Sequence, residues 1–111
     1  MMHKMRLNDR PFNMIKSGDK TIEMRLNDEK RRLINVGDKI EFQNRITLDI
    51  IYCKVVKLHK YDNFYELYKH FNKKELGYKE NEKASYTDMD KYYSNEEQNK
   101  YGVVGIEIAL I

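Results

Sequence analysis

The ten residues that decide the fold are SGDKTIEMRL, at positions 17–26. Gly18 is typical of the end of a helix, and the alternation of apolar and polar residues after it predicts a short strand over Lys20–Leu26. Successive side chains of a strand point to opposite faces, so one face of this strand is expected to pack on a core. The apolar residues on that face are Ile22, Met24 and Leu26.

The opposite face of the same strand is polar. Glu23 and Arg25 lie side by side on it, and Lys20 stands at the turn where the strand begins. A guanidinium binds planar acceptors through paired hydrogen bonds, so the three side chains together could hold a phosphate, a nucleobase edge or a carbonyl. The alternative is a surface cluster of ion pairs, which would contribute less than about 1 kcal/mol to stability.

The rest of the chain mixes strand and helix patterns. Apolar residues at every second position predict strands, and apolar residues three and four positions apart predict helices. The predicted strands cover residues 3–7, 39–43, 48–58 and 103–110, and the predicted helices cover residues 9–17, 63–71, 88–93 and 94–100. This order indicates an α+β protein built on a small mixed sheet or an open barrel.

Length and composition limit the class of protein. The chain has 111 residues, 41% of them hydrophobic, and a net charge of +3, which fits one ordered domain over residues 1–111. Cys53 is the only cysteine, so no internal disulfide can form. No apolar run approaches the ~20 residues that span a bilayer. We therefore expect a cytoplasmic protein with no membrane partner.

The motifs of several common activities are missing from the sequence. It contains no P-loop, no dinucleotide-binding fingerprint and no G-x-S-x-G motif. His3, His59 and His70 show no metal-ligand spacing, and no pair of cysteines accompanies them. We therefore expect neither a metal ion nor a cofactor.

The motif Gly18-x-Lys20-x-x-Glu23-x-Arg25 resembles the GxKxxExR signature of ASCH domains. The likeness continues through DEKRR at 28–32, VGD at 36–38 and YGVV at 101–104. ASCH domains belong to the PUA-like superfamily, and the chain is similar to their small single-domain bacterial type. The resemblance implies an α+β fold, with a PUA-like β-barrel of mostly antiparallel strands and flanking α-helices.

The resemblance also implies a function. In ASCH domains the motif is taken to line a ligand cleft, and the domains are thought to bind RNA or nucleotides. On this basis Lys20, Glu23 and Arg25 are the expected ligand-binding residues. Lys30 and Arg31 follow the motif strand and could reach a phosphate backbone. RNA, a nucleotide or a nucleoside is therefore the expected partner.

Relatives of this family also suggest an enzyme as the alternative. Some small ASCH-like proteins resemble N4-acetylcytidine amidohydrolases, in which the motif lysine and a threonine three residues later take part in catalysis. The lysine matches Lys20, but the threonine position is occupied by Glu23. Other relatives are reported as ribonucleases, and in either hydrolase Lys20 and Glu23 would act as acid and base.

Overall fold

The computed structural model describes all 111 residues, and its centre is one five-stranded sheet. The strands are β1 (Met2–Leu7), β2 (Ile22–Leu26), β3 (Lys39–Asn44), β4 (Ile50–Tyr61) and β5 (Val103–Leu110). Their order in space is β1-β3-β4-β5-β2, with β1 and β3 parallel and every other pair antiparallel. The sheet curls into a half-barrel whose open edges are β1 and β2.

Three short α-helices and two 3₁₀ turns flank the sheet, which confirms the predicted α+β class. The helices are α1 (Asp9–Lys16), α2 (Phe64–Tyr68) and α3 (Asn95–Tyr101), and the 3₁₀ turns cover Arg31–Leu33 and Tyr86–Lys91. Helix α3 begins with a capping box, in which the side chain of Ser94 accepts a hydrogen bond from the backbone of Glu97 and the side chain of Glu97 accepts one in return. None of the helices is long and apolar enough to cross a bilayer.

Helix α2 is shorter than the helix predicted over residues 63–71. It ends at Tyr68, and the next two residues close tighter turns through bonds from Lys69 N to Glu66 O and from His70 N to Leu67 O. Phe71 therefore leaves the helical stripe. Its ring instead packs edge-on against the rings of His59 and Tyr61, at centroid distances of 4.9 and 6.4 Å.

Two apolar cores lie on the two sides of the sheet. The inner core fills the half-barrel and combines residues of β1, β3, β4 and β5 with Phe12 and Ile15 of α1. The second core lies between strands β2 and β5 and the segment 64–89, and it contains Phe64 and Leu67 of α2. The remaining outer side of the sheet, formed by β1, β3 and the first half of β4, carries no helix.

The pairing of β2 with β5 decides which way the polar face of the motif strand points. Glu23 lies opposite Ile106, and Arg25 lies opposite Val104. Residues directly opposite each other in a sheet share a face, and both of these β5 residues belong to the inner core. The two ionisable side chains therefore point into the half-barrel.

The two phenylalanines of this region provide a test of the second core. Phe64 is fully buried, whereas Phe71 is only partly buried. We expect Phe64→Ala to lower the free energy of unfolding by about 3–5 kcal/mol, and Phe71→Ala by roughly half as much. Urea denaturation of both variants checks this, and equal losses would contradict the assignment of Phe64 to the centre of the core.

Candidate functional site

The three charged residues of the motif strand form one buried cluster. The Lys20 Nζ lies 3.2 Å from Glu23 Oε1, and the Arg25 Nε donates to Glu23 Oε2 at 2.8 Å. The side chains of Lys20, Glu23 and Arg25 are only 8%, 5% and 14% exposed. We call this cluster the charged triad. It is not the surface ion-pair cluster that the sequence left open as an alternative.

Burial and charge act in opposite directions on the triad. Burial alone would raise the pKa of the Glu23 carboxyl, but the charges of Lys20 and Arg25 outweigh it and hold that pKa below its usual value. Burial alone would lower the pKa of Arg25, and the carboxylate of Glu23 outweighs it and raises that pKa. Glu23 is thus an anion at neutral pH, held between two cations.

Lys20 is positioned by the segment that follows helix α2. Its Nζ donates to the carbonyl of Leu76 at 3.4 Å, and the backbone nitrogens of Thr21 and Ile22 both donate to the carbonyl of Glu75. The Lys20 side chain passes directly over Gly77, where an added Cβ would lie 2.9 Å from Lys20 Cδ. The absence of a side chain at Gly77 leaves the route of this lysine open.

Arg25 joins the two open edges of the half-barrel. Its Nη2 donates to the main-chain carbonyl of Arg6 on β1 at 3.2 Å, although β1 and β2 are not neighbours in the sheet. Tyr93 lies beside Arg25, and burial raises the pKa of the Tyr93 hydroxyl. The ring of Tyr93 stacks on Phe64 at 5.8 Å, which fixes it to the second core.

A cleft of about 200 Å³ opens in front of the triad at the gap between β1 and β2. The residues that line it come from β1, the start of α1, β2, the turn after β3 and the segment 89–93. Its charged and aromatic members are Arg6, Lys20, Glu23, Arg25, Arg45, Tyr92 and Tyr93. Tyr92 forms an exposed part of the wall, with 60% of its surface accessible.

Arg6 and Arg45 are site residues that the sequence did not indicate. Both reach the cleft because β1 pairs in parallel with β3, and because the backbone nitrogen of Arg45 donates to the carbonyl of Leu7 at 2.9 Å. This pairing joins residues almost 40 positions apart, and no local pattern records it. The sequence indicated only that Arg45 lies in a polar turn between two predicted strands.

Lys30 and Arg31 lie outside the lining of the cleft. Lys30 is exposed, and Arg31 is held by Asp28, whose Oδ2 accepts from Arg31 Nη1 at 3.3 Å. Contact of these two residues with a ligand stays a prediction.

The lining of the cleft contains no cysteine, no histidine and no carboxylate other than Glu23. No group of three or more His, Cys, Asp or Glu side chains is placed to hold a metal ion. Cys53 is buried in the inner core, and this burial raises the pKa of its thiol to about 11, which makes it a poor nucleophile. The chemistry of the site therefore belongs to the triad and its lining.

Comparison of the chain with known proteins identifies its family. The sequence model of the ASCH domain matches residues 5–111. The crystal structure of hypothetical protein PH0355 is 33% identical, with all of both chains covered and a TM-score of 0.84. The solution structure of protein PF0455 from Pyrococcus furiosus is also 33% identical, with 100% of this chain and 98% of that chain covered and a TM-score of 0.72.

A more distant structure shares the fold. The crystal structure of ASCH from Zymomonas mobilis is 15% identical, with 97% of this chain and 66% of that chain covered and a TM-score of 0.71. The PUA-like architecture expected from the sequence is confirmed by this likeness. No curated protein matches the chain.

Gly77 allows the positioning of Lys20 to be tested against a matched control. Gly77 and Gly37 both have positive φ, +98° and +94°, but only Gly77 has a neighbour where a Cβ would stand. We expect Gly37→Ala to cost about 1–3 kcal/mol through backbone strain. Gly77→Ala should cost roughly 1–3 kcal/mol more, because it displaces a buried cation from Glu23.

Urea denaturation measures both losses. In a Lys20→Ala background the excess loss of Gly77→Ala should disappear, since the side chain that it displaces is then absent. Equal losses for the two glycine variants in the native background would show that Gly77 does not position Lys20.

The lowered pKa of Glu23 predicts how the triad's contribution to stability changes as the pH falls. A carboxyl with a lowered folded pKa contributes stability above its unfolded value, and this contribution is lost as the pH falls through the folded pKa. We expect carboxyl-carbon NMR to give Glu23 a pKa below the ordinary 4.5, and Arg25→Gln to raise that pKa. A pKa above 4.5 in the native protein would contradict the described charge balance.

Proposed function

The chain belongs to the ASCH domain family, and from this premise we propose that it binds RNA through the cleft in front of the charged triad. The observation that carries the proposal is the combination of buried, fixed cations with an exposed aromatic wall at one opening. Phosphate groups bind such cations, and nucleobases stack on such rings.

The charge of the cleft favours an anionic ligand. Four cationic side chains line it, and only one carboxylate accompanies them; these residues are Arg6, Arg25, Arg45, Lys20 and Glu23. Clefts lined by one sign of charge focus the field and raise the local concentration of an oppositely charged ligand. A nucleotide phosphate meets this requirement, and a neutral peptide or sugar does not.

The size of the cleft favours one nucleotide rather than a longer segment. Its volume of about 200 Å³ lies below the ~300–1,000 Å³ range of typical drug-sized sites. A single base can enter against Tyr92 and Tyr93 while its phosphate remains near Arg45, which is exposed. Neighbouring nucleotides must then lie outside the cleft.

Glu23 acts in this proposal as a positioning residue. Each of its two oxygens receives one cation, so the carboxylate separates Lys20 and Arg25 and holds both in place. The two cations would repel each other without it. Arg25 reaches the ligand with the guanidinium nitrogen that neither Glu23 nor Arg6 engages.

The close contact of Lys20 and Glu23 is also what a hydrolase would use, acting on RNA or on a modified nucleoside. A general acid or base works best with a pKa near the operating pH. The pKa of Glu23 is lowered, and both of its oxygens are engaged by cations, so this carboxylate is a poor acid and a weakened base. The geometry thus supports binding more strongly than catalysis.

Arg45→Gln tests the binding proposal without disturbing the buried triad. We expect weaker binding of short RNAs of any sequence, and a log–log salt dependence lower by about one unit, because one phosphate contact is lost. Lys60→Gln is the matched control, since it removes an exposed cation on a different part of the sheet. Fluorescence anisotropy between 50 and 200 mM salt measures both, and identical effects would contradict the proposal.

An activity assay on the native protein and on Lys20→Met decides between binding and hydrolysis. The native protein is incubated with short RNA and with N4-acetylcytidine, and the products are separated by chromatography. Binding alone predicts no turnover by the native chain or by Lys20→Met. Turnover by the native chain that falls roughly 100-fold or more in Lys20→Met would overturn the binding-only proposal.

A further inference from the structure

The bare outer side of the sheet carries a second cationic surface. Strand alternation places Lys4, Arg6, Lys39, Tyr52 and Lys54 on the side opposite the inner core, and all five are exposed. We call these five residues the outer patch. It forms on β1, β3 and the first half of β4, where neither core covers the sheet.

The outer patch has an unbalanced charge. None of its four cations takes part in a salt bridge. The only carboxylate on the same strands' outer side is Glu41, which accepts a hydrogen bond from the Tyr52 hydroxyl at 3.4 Å. The chain as a whole has a net charge of +3, so this surface concentrates much of its excess positive charge.

The register of the sheet makes the imbalance costly. Lys39 lies directly opposite Lys54 on the neighbouring strand. Like charges directly opposite each other destabilise a sheet pair, and a cross-strand carboxylate would have been the stabilising choice. A local rule broken on an exposed surface, with no compensating contact, is typical of a functional position. A bound phosphate between the two ammonium groups would remove the repulsion.

An aromatic ring lies within this cationic surface. Tyr52 is 44% exposed and stands on the same strand face as Lys54, two residues away. Bases stack on such rings with little dependence on sequence, while nearby cations follow the sugar-phosphate backbone. A second copy of the chain fits less well, because a symmetric contact would place two cationic patches together.

The outer patch is continuous with the cleft through Arg6. This arginine lies on the outer side of β1 by alternation, and it also lines the cleft at the open seam. Lys4 precedes it by two residues on the same face of β1, about 7 Å away. Lys39 of β3 is the diagonal neighbour of Lys4, whose direct cross-strand partner is Glu41, and such diagonal neighbours lie about 7–8 Å apart. An RNA strand that leaves the cleft over Arg6 would therefore meet these cations one after another.

We propose that single-stranded RNA leaves the cleft across Arg6 and continues over the outer patch, with its phosphates on Lys4, Lys39 and Lys54 and one base on Tyr52. This inference rests on the proposed function. It adds a sequence-tolerant surface outside the cleft and makes the bound RNA several nucleotides long.

The test compares a trinucleotide with a nine-nucleotide RNA by fluorescence anisotropy. The variant Lys4→Gln/Lys39→Gln/Lys54→Gln should weaken binding of the longer RNA at least 10-fold at 50 mM salt and lower its log–log salt slope by about two units. Binding of the trinucleotide should stay within about 2-fold of the native value, because screened distant charges act weakly. The matched control is Lys60→Gln/Lys83→Gln/Lys100→Gln, which removes the same charge elsewhere.

Substitutions of Tyr52 test the outer patch independently of its lysines. Tyr52→Ala should weaken binding of the nine-nucleotide RNA roughly 5- to 100-fold, because one stacked base is lost, while Tyr52→Phe should bind as the native chain does. Sedimentation of the free native protein and of Tyr52→Ala accompanies the assay. A native dimer that the alanine variant converts to a monomer would assign the patch to a second copy and overturn the inference.

The remaining outcomes separate the two proposals. If the two triple variants weaken binding equally while Arg45→Gln still impairs both RNAs, the outer patch is not a binding surface and the cleft function stands. If the patch variant weakens binding and Arg45→Gln does not, the cleft proposal fails and the patch is retained as a binding surface. No binding of the nine-nucleotide RNA at 50 mM salt would overturn both proposals.

Discussion

The structure depends on the burial of one carboxylate, that of Glu23. Removing a carboxylate from water costs several kcal/mol, and this cost is offset only where close partners satisfy the charge. Both partners of Glu23 are anchored outside strand β2, because Lys20 bonds the carbonyl of Leu76 and Arg25 bonds the carbonyl of Arg6. The triad therefore ties together three distant parts of the chain.

The open half-barrel explains why this arrangement produces a cleft. A closed barrel would pair β1 with β2 and leave no gap between them. Here the sheet stops at both strands, and a side-chain bond from Arg25 replaces the missing backbone ladder at Arg6. The segment 72–102 covers the far side and supplies Tyr92 and Tyr93 as one wall. The binding site is thus the unpaired seam of the fold, and the charged triad forms its floor.

Local features of the sequence predicted the parts of the fold that short-range physics controls. The alternation in residues 22–26 indicated the two faces of β2, and the pattern of residues 94–100 indicated helix α3. The sequence could not decide between a surface cluster and a buried triad, because this depends on the register of β2 against β5. The parallel pairing of β1 and β3 brings Arg6 and Arg45 to the cleft, and it is equally non-local.

The triad also explains why a cation-binding carboxylate is useful in a site for anions. Two flexible cations alone would repel each other and lose side-chain entropy when a phosphate ordered them. Glu23 removes this repulsion and fixes both side chains before the ligand arrives, while the triad retains a net positive charge. Because the pKa of Glu23 is lowered and that of Arg25 is raised, these two residues keep their charges throughout the neutral range. Ionic strength, rather than pH near neutrality, is then the solution variable that governs how strongly the cleft attracts a phosphate.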